Sequence, residues 1–171
     1  MPSLEPDRSL SLRRAVTTGV VTVAVYGPVL LTHWYAPPDV PSLQQLLATQ
    51  ARWLAESQAK LGAVTVVDPS AGHLLSPEAR RLAVQGQNAA RDRVVAIASV
   101  VPGSGFRAAI VRSVITGVAV LSRLRAVEMA FSESRPASAW LATALRSHGT
   151  VLDEGLLLRA VEEILAARPS S

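Results

Sequence analysis

The chain has 171 residues, no cysteine and a net charge of +4, with 49% hydrophobic and 18% charged residues. That length suits one domain able to bury roughly 70% of its unfolded surface, the apolar fraction argues against disorder, and without cysteine there is no disulfide framework, thiolate zinc site or thiol nucleophile. Sixteen of the 17 basic residues are Arg, scattered apart from doublets at Arg13-Arg14 and Arg80-Arg81, whereas a nucleic-acid-binding chain shows a stripe or cluster.

Residues 1–14 are polar, carry Pro2 and Pro6 and end in the first arginine doublet, which reads as a flexible lead-in. From Ala15 to Pro38 there is no Asp, Glu, Lys or Arg. Two basic residues before such a stretch are one pattern of a membrane anchor. The composition favours a hairpin instead. Val21, Val23 and Val25 alternate with Thr22, Ala24 and Tyr26, the period of a strand. Tyr26-Gly27-Pro28 then forms a turn and Val29–Tyr35 a second strand.

Ser42 and Gln45 stand at capping-box spacing. Leu43, Leu46, Leu47, Leu54 and Leu61 recur at helical spacing up to Gly62, the expected stop. Ala63–Val67 predicts a buried strand, and Asp68-Pro69-Ser70-Ala71-Gly72-His73 a loop. Ser76-Pro77-Glu78 is a helix start: an N-cap, a proline at the first helical position and an acid in the first turn. This helix runs to about Arg91, with Gly86 its weak point. Val94–Val101 reads as a strand covered on both faces.

Pro102-Gly103-Ser104-Gly105 predicts a turn. A helix follows over Arg107–Ser122, its inner stripe Ile110, Val114, Val118 and Leu121, widened by Val111 and Ile115. Ala126–Phe131 is the last strand, with Val127, Met129 and Phe131 on one face and Glu128 on the other, exposed or paired with Arg. Ser134 caps a helix ending near His148-Gly149, and Asp153 caps a final amphipathic helix, Leu156–Ala167. That last helix packs on the sheet or meets another chain. Trp34, Trp53 and Trp140 are expected to fill or cover the core.

The alternating order predicts an α/β fold: a mixed, mainly parallel sheet of about five strands, an N-terminal hairpin and about five helices. The expected organisation is a flexible segment at 1–14, a single domain at 15–149 and a C-terminal helix within 150–171. In parallel sheets ligands gather at the carboxyl ends of the strands. The candidate ligand- or partner-facing residues are therefore Asp68, His73, Gly103, Ser104, Gly105, Phe106 and Arg107. Gly103-Ser104-Gly105 before a helix suits an anion, but no Lys-Ser or Lys-Thr follows and no third glycine completes a dinucleotide fingerprint. His33, His73 and His148 lack metal spacing. Ser70, His73 and Asp68 lie too close along the chain to assemble readily as a triad, and there is no Gly-x-Ser-x-Gly elbow.

The order of elements resembles the STAS and SpoIIAA-like fold. The strings Ser76-Pro77-Glu78-Ala79-Arg80-Arg81, Gly105-Phe106-Arg107, Arg112-Ser113-Val114-Ile115-Thr116-Gly117 and Ala139-Trp140-Leu141 resemble small bacterial proteins described as STAS/SEC14-like. The resemblance spans Thr17 to Arg146. It implies a cytoplasmic, non-enzymatic regulatory or protein-interaction module with no cofactor and no metal. Family antagonists are gated by phosphorylation of a serine in an Asp-Ser-Ser-Gly-like string. Here Asp68-Pro69-Ser70-Ala71-Gly72 stands in that place and Ser76 at the helix start, so the gate maps to Ser70 or Ser76. A plain N-cap is the competing reading of Ser76, and a turn residue that of Ser70. The expected partner is a protein. The alternative is a small-ligand or lipid carrier whose pocket, beneath the Ile110–Leu121 helix, holds an acyl or nucleotide group. A homodimer stays open, and no nucleic-acid partner is expected.

Overall fold

A computed structural model gives the fold and describes residues 11–71, 75–105, 108–112 and 126–167. Valine-rich segments form β2 (Val21–Tyr26) and β3 (Val29–Trp34), paired antiparallel across Gly27-Pro28. Gly27 has a φ of 51°, a conformation that glycine adopts without a Cβ penalty in a two-residue hairpin. Residues 21–34 are thus two strands of a sheet rather than a membrane-spanning helix. Among the described residues no helix is long and apolar enough to cross a membrane.

The lead-in ends earlier than its composition predicts. Leu12–Thr17 forms β1, antiparallel to β2, with a register shift between Arg14 and Val16. Its arginines point to solvent and reach neighbouring helices, Arg13 to Glu56 at 2.6 Å and Arg14 to Glu163 at 3.3 Å. Charged side chains on an edge strand also discourage pairing with another chain.

After β3 the chain alternates: α1 (Val40–Glu56), β4 (Leu61–Val67), α2 (Pro77–Ala90), β5 (Val94–Val100), then β6 (Val127–Phe131), α3 (Ser134–Arg146) and α4 (Glu154–Ala166). The sheet has six strands in sequential order, β1 to β6, and β3 to β6 pair in parallel. The mixed α/β architecture predicted from the sequence is the observed one, consistent with a STAS-like arrangement, and β1 is the added strand.

Three of the four named helices start at a side-chain cap. Ser76 Oγ accepts from Ala79 N at 3.1 Å and Asp153 Oδ1 from Leu156 N at 2.9 Å. At α1 the cap is Asp39, not Ser42: Asp39 Oδ1 accepts from Ser42 N at 2.8 Å, and Ser42 is buried against Thr18. Asp39 thus stands one turn ahead of the expected cap and takes the free N3 amide of the first turn, the ordinary role of an N-cap aspartate. Glu133 rather than Ser134 stands at the N-cap of α3, with no side-chain cap. Gly62 does not stop α1. It lies inside β4, where an added Cβ would stand 2.9 Å from Leu141 Cδ1. Glycine is there to let α3 approach the sheet.

Two cores result. On one face, Leu31, Val64, Val66 and Ala98 meet Leu141, Leu145, Leu157 and Ile164 from α3 and α4. The last helix therefore packs on the sheet. On the other face, α1 covers Val21, Val23, Leu30 and Trp34, with Trp53 buried beneath it. α2 rests on α1, and Gln50 Nε2 donates to Gly86 O at 2.7 Å. Gly86 is accordingly a contact point, not a weak one: an added Cβ would meet Leu47 Cδ2 at 2.6 Å.

Candidate functional site

Between the sheet and the α1–α2 layer lies a cavity of about 360 Å³. Protein interiors usually pack to crystal density, and this cavity, partly open to solvent, departs from that through its lining. Both facing layers supply small residues. The floor presents Ala63, Thr65 and Ser99, and α2 presents Ala83, Gly86 and Ala90. The side walls are large and apolar, with Leu43, Leu46, Trp34 and Trp53. Ligand sites of this size are commonly apolar with a few placed polar groups.

Gln50 and Gln87 supply amides from the helices, and the polar groups of the sheet form a row. Thr32 on β3 is the register partner of Thr65 on β4, and Thr65 that of Ser99 on β5. Strand alternation turns all three to the cavity face. Thr32 Oγ1 donates to Thr65 Oγ1 at 3.2 Å, and Ser99 Oγ donates to Glu128 Oε1 at 2.8 Å. The row thus crosses three adjacent strands and ends in a carboxyl group on a fourth. Burial pushes the Glu128 carboxyl above the usual range, and the Ser99 hydroxyl pulls it back only in part. The sequence reading of Glu128 as exposed or paired with Arg is corrected: its partner is a hydroxyl, and it lines the cavity. Val127 and Met129, on the opposite side of β6, are the exposed residues, at 60% and 43%.

The carboxyl ends of the strands hold the residues singled out in the sequence. Asp68 follows β4 and its Oδ1 lies 3.2 Å from His33 Nε2, both side chains being largely buried. His33 sits in T-shaped contact with Tyr35, ring centres 5.4 Å apart. Strand alternation turns His33 away from the cavity. Sequence reasoning missed this pair because 35 residues separate the two partners. Ser70 is exposed in the turn closed by Ala71 N donating to Asp68 O at 2.8 Å.

Gly103, Ser104 and Gly105 are exposed, and Gly103 has a φ of 94°. Arg112 Nη1 donates to Val101 O at 3.2 Å and Gly103 O at 3.0 Å. The loop is therefore braced by a cation, which gives it a structural use. Val67 packs with Val101, Ala108 and Val111, so the ends of β4 and β5 stand side by side. His73, Phe106 and Arg107 lie outside the described residues, as do Val114, Ile115, Val118 and Leu121. Of the predicted inner stripe, Ile110 is 41% exposed while Val111 is buried and lines the cavity. The helical turn at 108–112 is rotated relative to the predicted stripe. Among the described residues no group of His, Asp and Glu side chains could hold a metal ion.

No protein-family model matches the chain, and no curated protein matches it.

Proposed function

We propose that this protein is a non-enzymatic binding module that holds a small, largely apolar ligand between its sheet and the α1–α2 layer. The cavity carries this reading: a space of about 360 Å³ with apolar walls and one polar row on its floor. Unfilled apolar space of this kind forfeits dispersion contacts, which a ligand seated against the lining would restore. The proposal favours the carrier alternative over the regulatory one, and a cytoplasmic location accompanies it through the STAS-like resemblance. Native mass spectrometry of protein purified under mild conditions tests it. The expected spectrum shows a retained small molecule that is absent from Ala83→Phe, a substitution that fills the cavity from α2. A clean ligand-free mass for the wild type would count against the carrier.

A phosphorylation-gated interaction is the second reading, favoured by the exposure of Ser70 beside Asp68. Ser76 is already accounted for as a cap. A Ser70→Asp variant should then change the affinity for a protein partner relative to Ser70→Ala. Equal affinities would sink the gate.

A further inference from the structure

Glu128 is the one ionisable side chain among the described residues lining the cavity. Its partner is the Ser99 hydroxyl, and no cation approaches it among the described residues. A carboxylate offers about four acceptor positions, and Ser99 occupies one of them. A charge held in apolar surroundings without a counter-ion is costly. Among the described residues the rest of the lining supplies no countercharge: the walls are hydrocarbon, and the other polar groups are hydroxyls and amides.

We propose that the cavity takes a small amphiphilic amine, its ammonium group on Glu128 and the hydroxyl row, its hydrocarbon body against the walls formed by Leu30, Leu46 and Trp53. This deepens the carrier reading and rests on it. An ammonium has three donors and no acceptor. Glu128 accepts one of them as a charge-assisted bond, and the hydroxyls of Ser99 and Thr65 have lone pairs for the others. Thr32 already donates to Thr65, which leaves Thr65 free to turn its own hydrogen elsewhere while accepting. A carboxylate or phosphate head would face like charge at short range in a site of low dielectric. The acyl and nucleotide ligands suggested by the sequence are thereby disfavoured wherever they carry an anionic head into this space.

Three probes of equal chain length separate the possibilities: octylamine, 1-octanol and octanoate, titrated calorimetrically into the full chain. The amine should bind tightest and octanoate weakest, the extremes differing roughly tenfold or more, as expected for a hydrogen bond to a charged group. In Glu128→Gln the amine should lose its advantage over octanol, while octanol affinity stays within about twofold. Octanoate binding as tightly as octylamine would overturn the proposal, as would an unchanged ranking in Glu128→Gln. Equal binding of amine and alcohol defeats the head-group assignment and leaves the cavity reading standing. Binding of none of the three defeats both. Should Glu128→Gln fail to fold, the wild-type ranking decides the matter alone.

Discussion

At the scale of single residues, Glu128 has a thermodynamic signature. Burial raises its carboxyl above the usual range, so the native state holds that proton more tightly than the unfolded chain does. Stability from this group is full below the unfolded carboxyl range and is lost as pH rises through the raised native value. Urea midpoints of wild type and Glu128→Gln should agree at low pH and separate as pH climbs, the Gln variant becoming the more stable. Parallel curves across the range would contradict the buried carboxyl. On the other face, Leu141 is fully buried and lies over Gly62. Leu141→Ala should cost about 2–5 kcal/mol in denaturant unfolding, with probe affinity little changed because the cavity lies across the sheet.

The residue scale is also where the sequence was least legible. Thr65 and Ser99 each sit between apolar neighbours and Thr32 between Leu31 and His33, and nothing local distinguishes them from ordinary strand positions. They become a row only through the parallel register of β3, β4 and β5. That register depends on crossovers that no local pattern fixes. A hydroxyl recurring in each apolar strand run was the available signal. His33 and Asp68 met for the same non-local reason.

At the scale of elements, local chemistry was legible where a cap or an alternation is strong. Ser76-Pro77-Glu78 and Asp153 start their helices as their residue types predict. Ser76→Ala should cost about 1 kcal/mol of stability, while Ser76→Asp should cost little, because aspartate caps as well and suits the helix dipole. Chemical denaturation of the three proteins checks this. A large loss in Ser76→Asp would show that the serine does more than cap. The end of α1 was not legible. Arg93, arriving from the start of β5, donates to Ser57 O, to Ala59 O at 3.3 Å and to Leu54 O at 3.5 Å. It satisfies carbonyls that a helix end leaves without partners. Arg93→Ala should therefore destabilise the protein by about 1–3 kcal/mol, measured by urea midpoint, whereas loss of an unengaged surface arginine would leave the midpoint in place. β1 was missed because Arg13 and Arg14 read as lead-in. Only its pairing with β2 makes it a strand.

At the scale of the whole molecule, the order of elements gave the mixed sheet and the two-layered covering, since alternating strands and helices with right-handed crossovers leave few arrangements. The expected pocket lay beneath the 110–121 helix; a cavity beneath α1 and α2 was not legible, for it depends on where α2 comes to rest. Gly86 lets α2 lean on Leu47 and Gln50 of α1. The helix is held to its neighbour while Ala83 and Ala90 face the floor without filling the gap. The described residues thus place a cavity under α1 and α2, while a cluster of fully buried side chains lies under α3 and α4. That asymmetry is the physical basis of the carrier reading.

Methyl-resolved NMR of the full chain titrated with octylamine tests this asymmetry most directly. The account predicts shifts at Leu30, Leu46, Leu47 and Ile97, which line the cavity, with Leu141, Leu157 and Ile164 unmoved. Shifts centred on the second group, or none at saturating ligand, would contradict it.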